Sequence, residues 1–340
     1  MAATKRLEAK LARMRSGRAS AKDFIIADAK DADMAFGVTA PGPDRTRGRW
    51  KTLEDYLEQI RAIVRQDIVD LMLLSASNLE RLAIDEGLFG ESAITPAARA
   101  NDTSDIWAVR GGAYHRHPSR AFRTASIEHI KYGRLEADCS QPPRGADLGL
   151  YSITFTNDIA EDHRALTEFH AFRREAEQKR FRYFLEVFNP NVDPGLSTEE
   201  AASFLNDHIV RTLAGVTRAG RPLFLKMPYN GPGPLEELAA YDPGLVIGVL
   251  GGGAGTTLDA FQLLHDAQKH GARVALFGRK INLSEHPLTF IQFLRRIADG
   301  EVSPAEAVRA YHGELAKLGL QPLRPLEDDL RLTPVLPSYR

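Results

Sequence analysis

A chain of 340 residues, 43% of them hydrophobic and 26% charged, has ordinary globular composition and is long enough for two domains or for one α/β barrel with extensions. The net charge of −1 argues against nucleic acid or an anionic membrane as partner, and no apolar run approaches the roughly 18 residues of a spanning helix. A single cysteine, Cys139, excludes an intramolecular disulfide framework, so a reducing, cytoplasmic setting is the expectation.

The opening stretch MAATKRLEAKLARMRSGRAS is basic but lacks the apolar core of a secretory signal. Leu7, Leu11 and Met14 have helical spacing, so residues 1–22 read as an N-terminal helical extension. Short apolar runs then alternate with helical patterns. The runs are DFIIADA from Asp23, DIVDLMLLS from Asp67, YSITFT from Tyr151, YFLEVFN from Tyr183, PLFLKM from Pro222, LVIGVLGG from Leu245 and ARVALFG from Ala272. Near-continuous apolarity of this kind suits parallel strands buried on both faces. Between them, Ser197 and Glu200 form a capping box for a helix ending at Gly215. Leu258, Phe261 and Leu264 stripe a helix that stops at Gly271, and Ser303, Pro304 and Glu306 start another.

That makes seven strands, and an eighth is expected within residues 94–110, at AARA or at DIWAV. Eight βα units close into a (β/α)8 TIM barrel; an open doubly wound sheet is the rival arrangement. The expectation is one barrel domain over residues 23–320, with an N-terminal helix and a long insertion after strand three, the decorated region 111–148. A Pro-rich tail, 321–340, would run extended along a surface or a neighbouring subunit.

In such barrels function sits at the C-terminal ends of the strands. Side chains alternate along a strand, so Phe184, Glu186 and Phe188 share one face, as do Phe224 and Lys226. If those faces line the barrel mouth, a carboxyl on strand five lies beside an amine on strand six, with strands about 4.8 Å apart. Burial would push the ammonium toward the neutral, nucleophilic amine. Such a pair can serve as nucleophile and acid/base; alternatively it is a structural ion pair, or Lys226 reaches solvent. The glycines of VLGGGAGTT, including Gly252 and Gly253, stand between a strand and a helix start, and Gly278 and Arg279 follow the next strand. Together they read as an anion site. The run lacks the features of a P-loop or a dinucleotide fingerprint. His115 and His117 have no third partner in register, so no metal site is expected.

With these residues in view, the chain resembles the class I aldolase superfamily, which includes deoxyribose-phosphate, archaeal-type fructose-bisphosphate, tagatose-bisphosphate and sulfofructose-phosphate aldolases. FLKMPY on strand six, LGGGAG on strand seven, ALFGRKIN on strand eight and IADAKDAD on strand one carry the resemblance. It implies a metal-independent lyase that acts on a ketose phosphate or related anionic sugar through a covalent imine on Lys226, with no separate cofactor. By the same resemblance Glu186 would shuttle protons, Asp28 would orient a substrate hydroxyl or the amine, and Gly252, Gly253, Gly278 and Arg279 would hold a terminal phosphate. Tyr229 is open as a helper, Asn157 at the end of strand four as a substrate contact, and Lys30 as a second amine for another anionic group. The archaeal branch uses a strand-four tyrosine as acid, whereas strand four here has its only tyrosine, Tyr151, at its very start, which favours Glu186; the insertion has no obvious counterpart. The partner expected is a small phosphorylated sugar or ketone, in a chain able to form homo-oligomers. Transaldolase or acyl-transfer chemistry on the same lysine, and a non-catalytic sugar-phosphate-binding regulator, are the alternatives.

Overall fold

The alternating pattern resolves into a ring of eight parallel strands in a computed structural model, which describes residues 4–103, 108–135, 141–253 and 255–334. The strands are β1 (Ile25–Lys30), β2 (Leu71–Leu74), β3 (Thr95–Arg99), β4 (Leu148–Thr154), β5 (Arg182–Phe188), β6 (Leu225–Lys226), β7 (Gly248–Leu250) and β8 (Val274–Phe277). Each pairs with its neighbour in chain order, and β1 also pairs with β8. A bridge between Met227 and Val249 joins β6 to β7, with Leu225 N donating to Val246 O and Met227 N to Gly248 O. The ring is thereby closed, and the open doubly wound alternative is overturned: every strand has a partner on both sides.

The eighth strand is β3, which overlaps the AARA reading; residues 105–107 of DIWAV lie outside the described residues, as does Cys139. β4 starts three positions before the expected Tyr151, because Leu148 and Gly149 belong to the ladder. A Cβ on Gly149 would come within 2.6 Å of the Phe181 ring, so this strand-interior glycine makes room for an aromatic side chain.

Two apolar layers separate cleanly by parity. Ile25, Ala27, Ala29, Leu71, Leu73, Leu150, Phe184, Phe224 and Leu276 fill the barrel, while Ile26, Met72, Ile153, Val187 and Val249 pack under the helices. A helix at Arg6–Arg15 inserts Leu7 and Leu11 into the inner layer and so stoppers the N-terminal end. Its Lys10 Nζ donates to Asp70 Oδ2 at 2.8 Å, and Arg6 and Arg295 flank the same carboxylate. Asp70 therefore belongs to the closed end of the barrel, away from the mouth.

The capping boxes at Ser197/Glu200 and Ser303/Glu306 start helices Thr198–Ala214 and Pro304–Lys317. Helix Thr257–Lys269 has its own box, Thr256 with Asp259. Over its described residues, 321–334, the tail is not extended throughout. A short helix at Leu326–Asp329 places Asp329 Oδ1 to accept from Thr257 N at 2.7 Å, and Thr333 bonds Asp259 through its N and Oγ1. Free N–H groups at a helix start attract carboxylates, which ties the tail across the barrel mouth. Among the described residues no helix is long and apolar enough to cross a membrane.

Candidate active site

β5 and β6 end on the same side of the barrel, and their register pairs Glu186 with Lys226. Both side chains point inward, as strand parity requires, and Lys226 Nζ lies 2.5 Å from Glu186 Oε1. Glu186 is fully buried; the Lys226 side chain keeps 8% of its surface. The other carboxylate oxygen accepts from Ser152 Oγ on β4 at 2.7 Å. Arg99 Nη1 from β3 stands 4.0 Å from that oxygen and 2.9 Å from Asp31 Oδ2. Four charged groups of alternating sign thus cross the mouth from β1 to β6. So dry a set of charges persists only when each has a partner, and these do.

The outcome differs at strand one. Asp28 and Lys30 do not reach the mouth. They share the parity of Ile26 and pair in register with Met72, Phe277 and Leu74, all in the outer layer. There Lys30 Nζ lies 3.1 Å from Asp28 Oδ2 and donates to Asn282 Oδ1, with Tyr56 beside them. Burial raises the Asp28 carboxyl to about 6 and lowers the Lys30 ammonium. The inward acid of β1 is Asp31, one step past the strand end; it stands among the polar residues the sequence places there but without a role, and Arg99 and Ser152 are the residues reading by sequence missed. Counting parity from Ala27 and Ala29, the small residues suited to a barrel interior, would have selected Asp31.

Past the ends of these strands lies a cavity of about 1070 Å³, whose lining includes none of Lys226, Glu186, Ser152, Arg99 or Asp31. Its floor includes Phe188, Pro228 and Leu250, each two residues beyond Glu186, Lys226 and Gly248 on the same inward face. Gly251, Gly252, Gly253 and Arg279 form one corner and Tyr229 another wall, with burial raising the Tyr229 hydroxyl pKa. Gly252 has φ of +54°, a left-handed conformation that disfavours a side chain, and a Cβ on Gly251 would overlap the Phe277 ring. Gly278 sits behind the corner, where a Cβ would stand 2.5 Å from Ala29 O. The Arg279 guanidinium lies over the Phe36 ring, 5.2 Å from its centroid. At the start of helix Thr257–Lys269, Thr257 N donates to Asp329 Oδ1, Asp259 N donates to Thr256 Oγ1, and the cap residue's own N–H donates to Asp259 Oδ2. An anion in this corner therefore depends on the glycine loop and Arg279 rather than on that helix start.

Asn157 faces solvent instead of the cavity. Its side chain donates to Pro194 O at 2.9 Å and braces the loop after β5. The insertion after β3 also reaches the site: Asn191 Nδ2 donates to Tyr114 O and His117 O, bringing Tyr114 and His115 to the rim. Among the described residues no three His, Cys, Asp or Glu side chains gather as a metal site.

No protein-family model and no curated protein matches the sequence. Solved structures do. An archaeal fructose-1,6-bisphosphate aldolase superposes with a TM-score of 0.60 at 15% identity, covering 86% of this chain and 99% of that one. A structure of the Schiff-base-forming fructose-1,6-bisphosphate aldolase, solved to analyse reaction intermediates, gives the same figures. A protein of Corynebacterium glutamicum superposes at 0.57 with 16% identity, over 87% of this chain and 94% of its own. The shared feature is the α/β TIM barrel.

Proposed function

We propose that this chain is a class I aldolase that cleaves or forms a carbon–carbon bond in a ketose phosphate or related anionic sugar through an imine on Lys226. The observation that carries the reading is the 2.5 Å contact between an inward lysine and a fully buried glutamate at the C-terminal end of the barrel. The shared fold with Schiff-base aldolases supports it.

In this reading Glu186 accepts a proton from Lys226, freeing the amine to attack the substrate ketone. The added nitrogen passes one proton to the former carbonyl oxygen and Glu186 returns the one it took, so that this oxygen leaves as water and an iminium remains. The bond between the α and β carbons breaks, its electron pair enters the iminium to form an enamine, and the β-hydroxyl gives its proton to the Glu186 carboxylate as the aldehyde departs. Protonation of the enamine at the α carbon and hydrolysis release the ketone and the lysine. Ser152 and Arg99 hold the carboxylate in place for these transfers. Gly252, Gly253 and Arg279 would hold the terminal anion. No separate cofactor enters, and the enzyme would work on small anionic metabolites in the cytoplasm.

The test is borohydride reduction in the presence of dihydroxyacetone phosphate, phosphorylated ketoses or pyruvate, followed by intact mass and peptide mapping. A reduced adduct on Lys226 is expected, and its mass gives the ketone half of the substrate. Folded protein that forms no adduct with any of them would overturn the proposal.

A further inference from the structure

The cavity is larger and less polar than a short sugar phosphate requires. At about 1070 Å³ it reaches the upper end of pockets that enclose drug-sized ligands, roughly 300–1,000 Å³. The glycine corner and Arg279 account for one end. The remaining wall sets a flat or apolar stretch, with Tyr114, Pro190, Val192, Tyr229, Leu263 and Leu332, beside polar residues such as Asn189, Asp193, Gln262 and Asp266.

Apart from Leu263 on helix Thr257–Lys269, this wall is built by connections rather than by barrel strands, and three of them are tied down. Asn191 binds the insertion through Tyr114 O at 2.7 Å and His117 O at 2.8 Å. Asn157 holds Pro194 O. The tail is held by Thr333, whose N and Oγ1 meet Asp259 at 2.9 and 2.7 Å. Hydroxyls of a sugar chain laid against the apolar stretch itself would lose water without gaining partners there, and that is unfavourable. An aromatic face covering the same surface gains from leaving water.

We infer that the site accepts an anionic ketone or aldol whose end distal to the anion carries an aromatic or comparably flat apolar group. The inference rests on the proposed aldolase reading for the placement of the anion, and on the wall alone for the apolar group. Selectivity then lies with the insertion, the β5 loop and the tail.

Titration calorimetry of the full chain with inorganic phosphate, glycerol phosphate, benzyl phosphate and benzyl alcohol tests this. None of the four forms an imine, so the outcome is independent of Lys226 chemistry and of the trapping experiment. Benzyl phosphate is expected to bind at least about tenfold more tightly than glycerol phosphate, as ring burial implies. Leu332→Ser and Val192→Ser should each shrink that ratio while leaving glycerol phosphate unchanged. Leu332 is 60% exposed, so its replacement spares the fold. Equal or tighter binding of glycerol phosphate, or no binding by any probe at millimolar concentration, overturns the inference. Benzyl alcohol binding as tightly as benzyl phosphate would overturn its anionic half, and with it the phosphate corner proposed above.

Discussion

Replacing Lys226 and Glu186 separately and together distinguishes a pair kept for chemistry from one kept for stability. Glu186→Leu would leave an ammonium in a dry site that also holds the Arg99 guanidinium, which stands 4.0 Å from the lost carboxylate oxygen. Breaking a buried pair in this way costs about 3–5 kcal/mol. Lys226→Met is milder, because the carboxylate keeps Ser152 at 2.7 Å and Arg99 nearby, so about 1–3 kcal/mol is expected. The double variant removes both charges together and should be neutral or more stable than the parent. With an unfolding entropy of about 2.1 cal/mol/K per residue, 340 residues shift by about 1.4 °C per kcal/mol. Tm should therefore fall by about 4–7 °C for Glu186→Leu and about 1–4 °C for Lys226→Met, and not at all for the double variant. Thermal unfolding by circular dichroism reads the stabilities, and borohydride trapping with the same samples should give no adduct wherever Lys226 is absent. A double variant less stable than either single one would refute the reasoning, since the pair would then be holding the barrel together.

Two further outcomes follow from strand one and its loop. Lys30→Met alone should cost about 3–5 kcal/mol in urea unfolding, whereas Asp28→Leu with Lys30→Met should recover most of it. Turnover of that double variant should stay within a few-fold of the parent, and its collapse in folded protein would show that the outward pair acts in the reaction. Burial raises the Asp33 carboxyl from 3.8 to about 6, against the opposing hydrogen bond from Ser75. A raised acid takes up a proton on folding, so its contribution is present below about pH 4 and lost as pH rises through 6. Relative to Asp33→Asn, the parent should lose about 2 kcal/mol between pH 4 and pH 7, and an unchanged difference in urea unfolding would sink the assignment.

Lys226 and Glu186 were legible before any coordinates because alternation along a strand is a local property. Phe184, Glu186 and Phe224, Lys226 sort to one face by counting alone, and the register then sets the two polar heads side by side. The same counting left strand one ambiguous. Its residues Ile25–Lys30 are buried on both faces, so no polar alternation marks which side is inward. Asp28 was selected through a resemblance in the strand-end motif, and the packing of Ala27 and Ala29 against Leu71 and Leu276 sends Asp31 to the mouth instead. Arg99 lies within the AARA candidate strand, but that segment competes with DIWAV and carries Pro96, so its register, and with it the inward face, stays open in the sequence.

The barrel itself, the helix caps and the glycine-lined corner were written in short-range pattern. Periodicity, capping boxes and glycines report what each segment does with its own backbone, and that needs no knowledge of neighbours. What only the tertiary structure decided is which distant segments meet over the mouth. The insertion reaches it through Asn191, and the tail folds back through Asp329 and Thr333 onto a helix start more than 70 residues earlier in the chain. Those hydrogen bonds join groups whose sequence separation leaves no periodic trace, so the wall that would choose the substrate becomes visible only once the chain has closed upon itself.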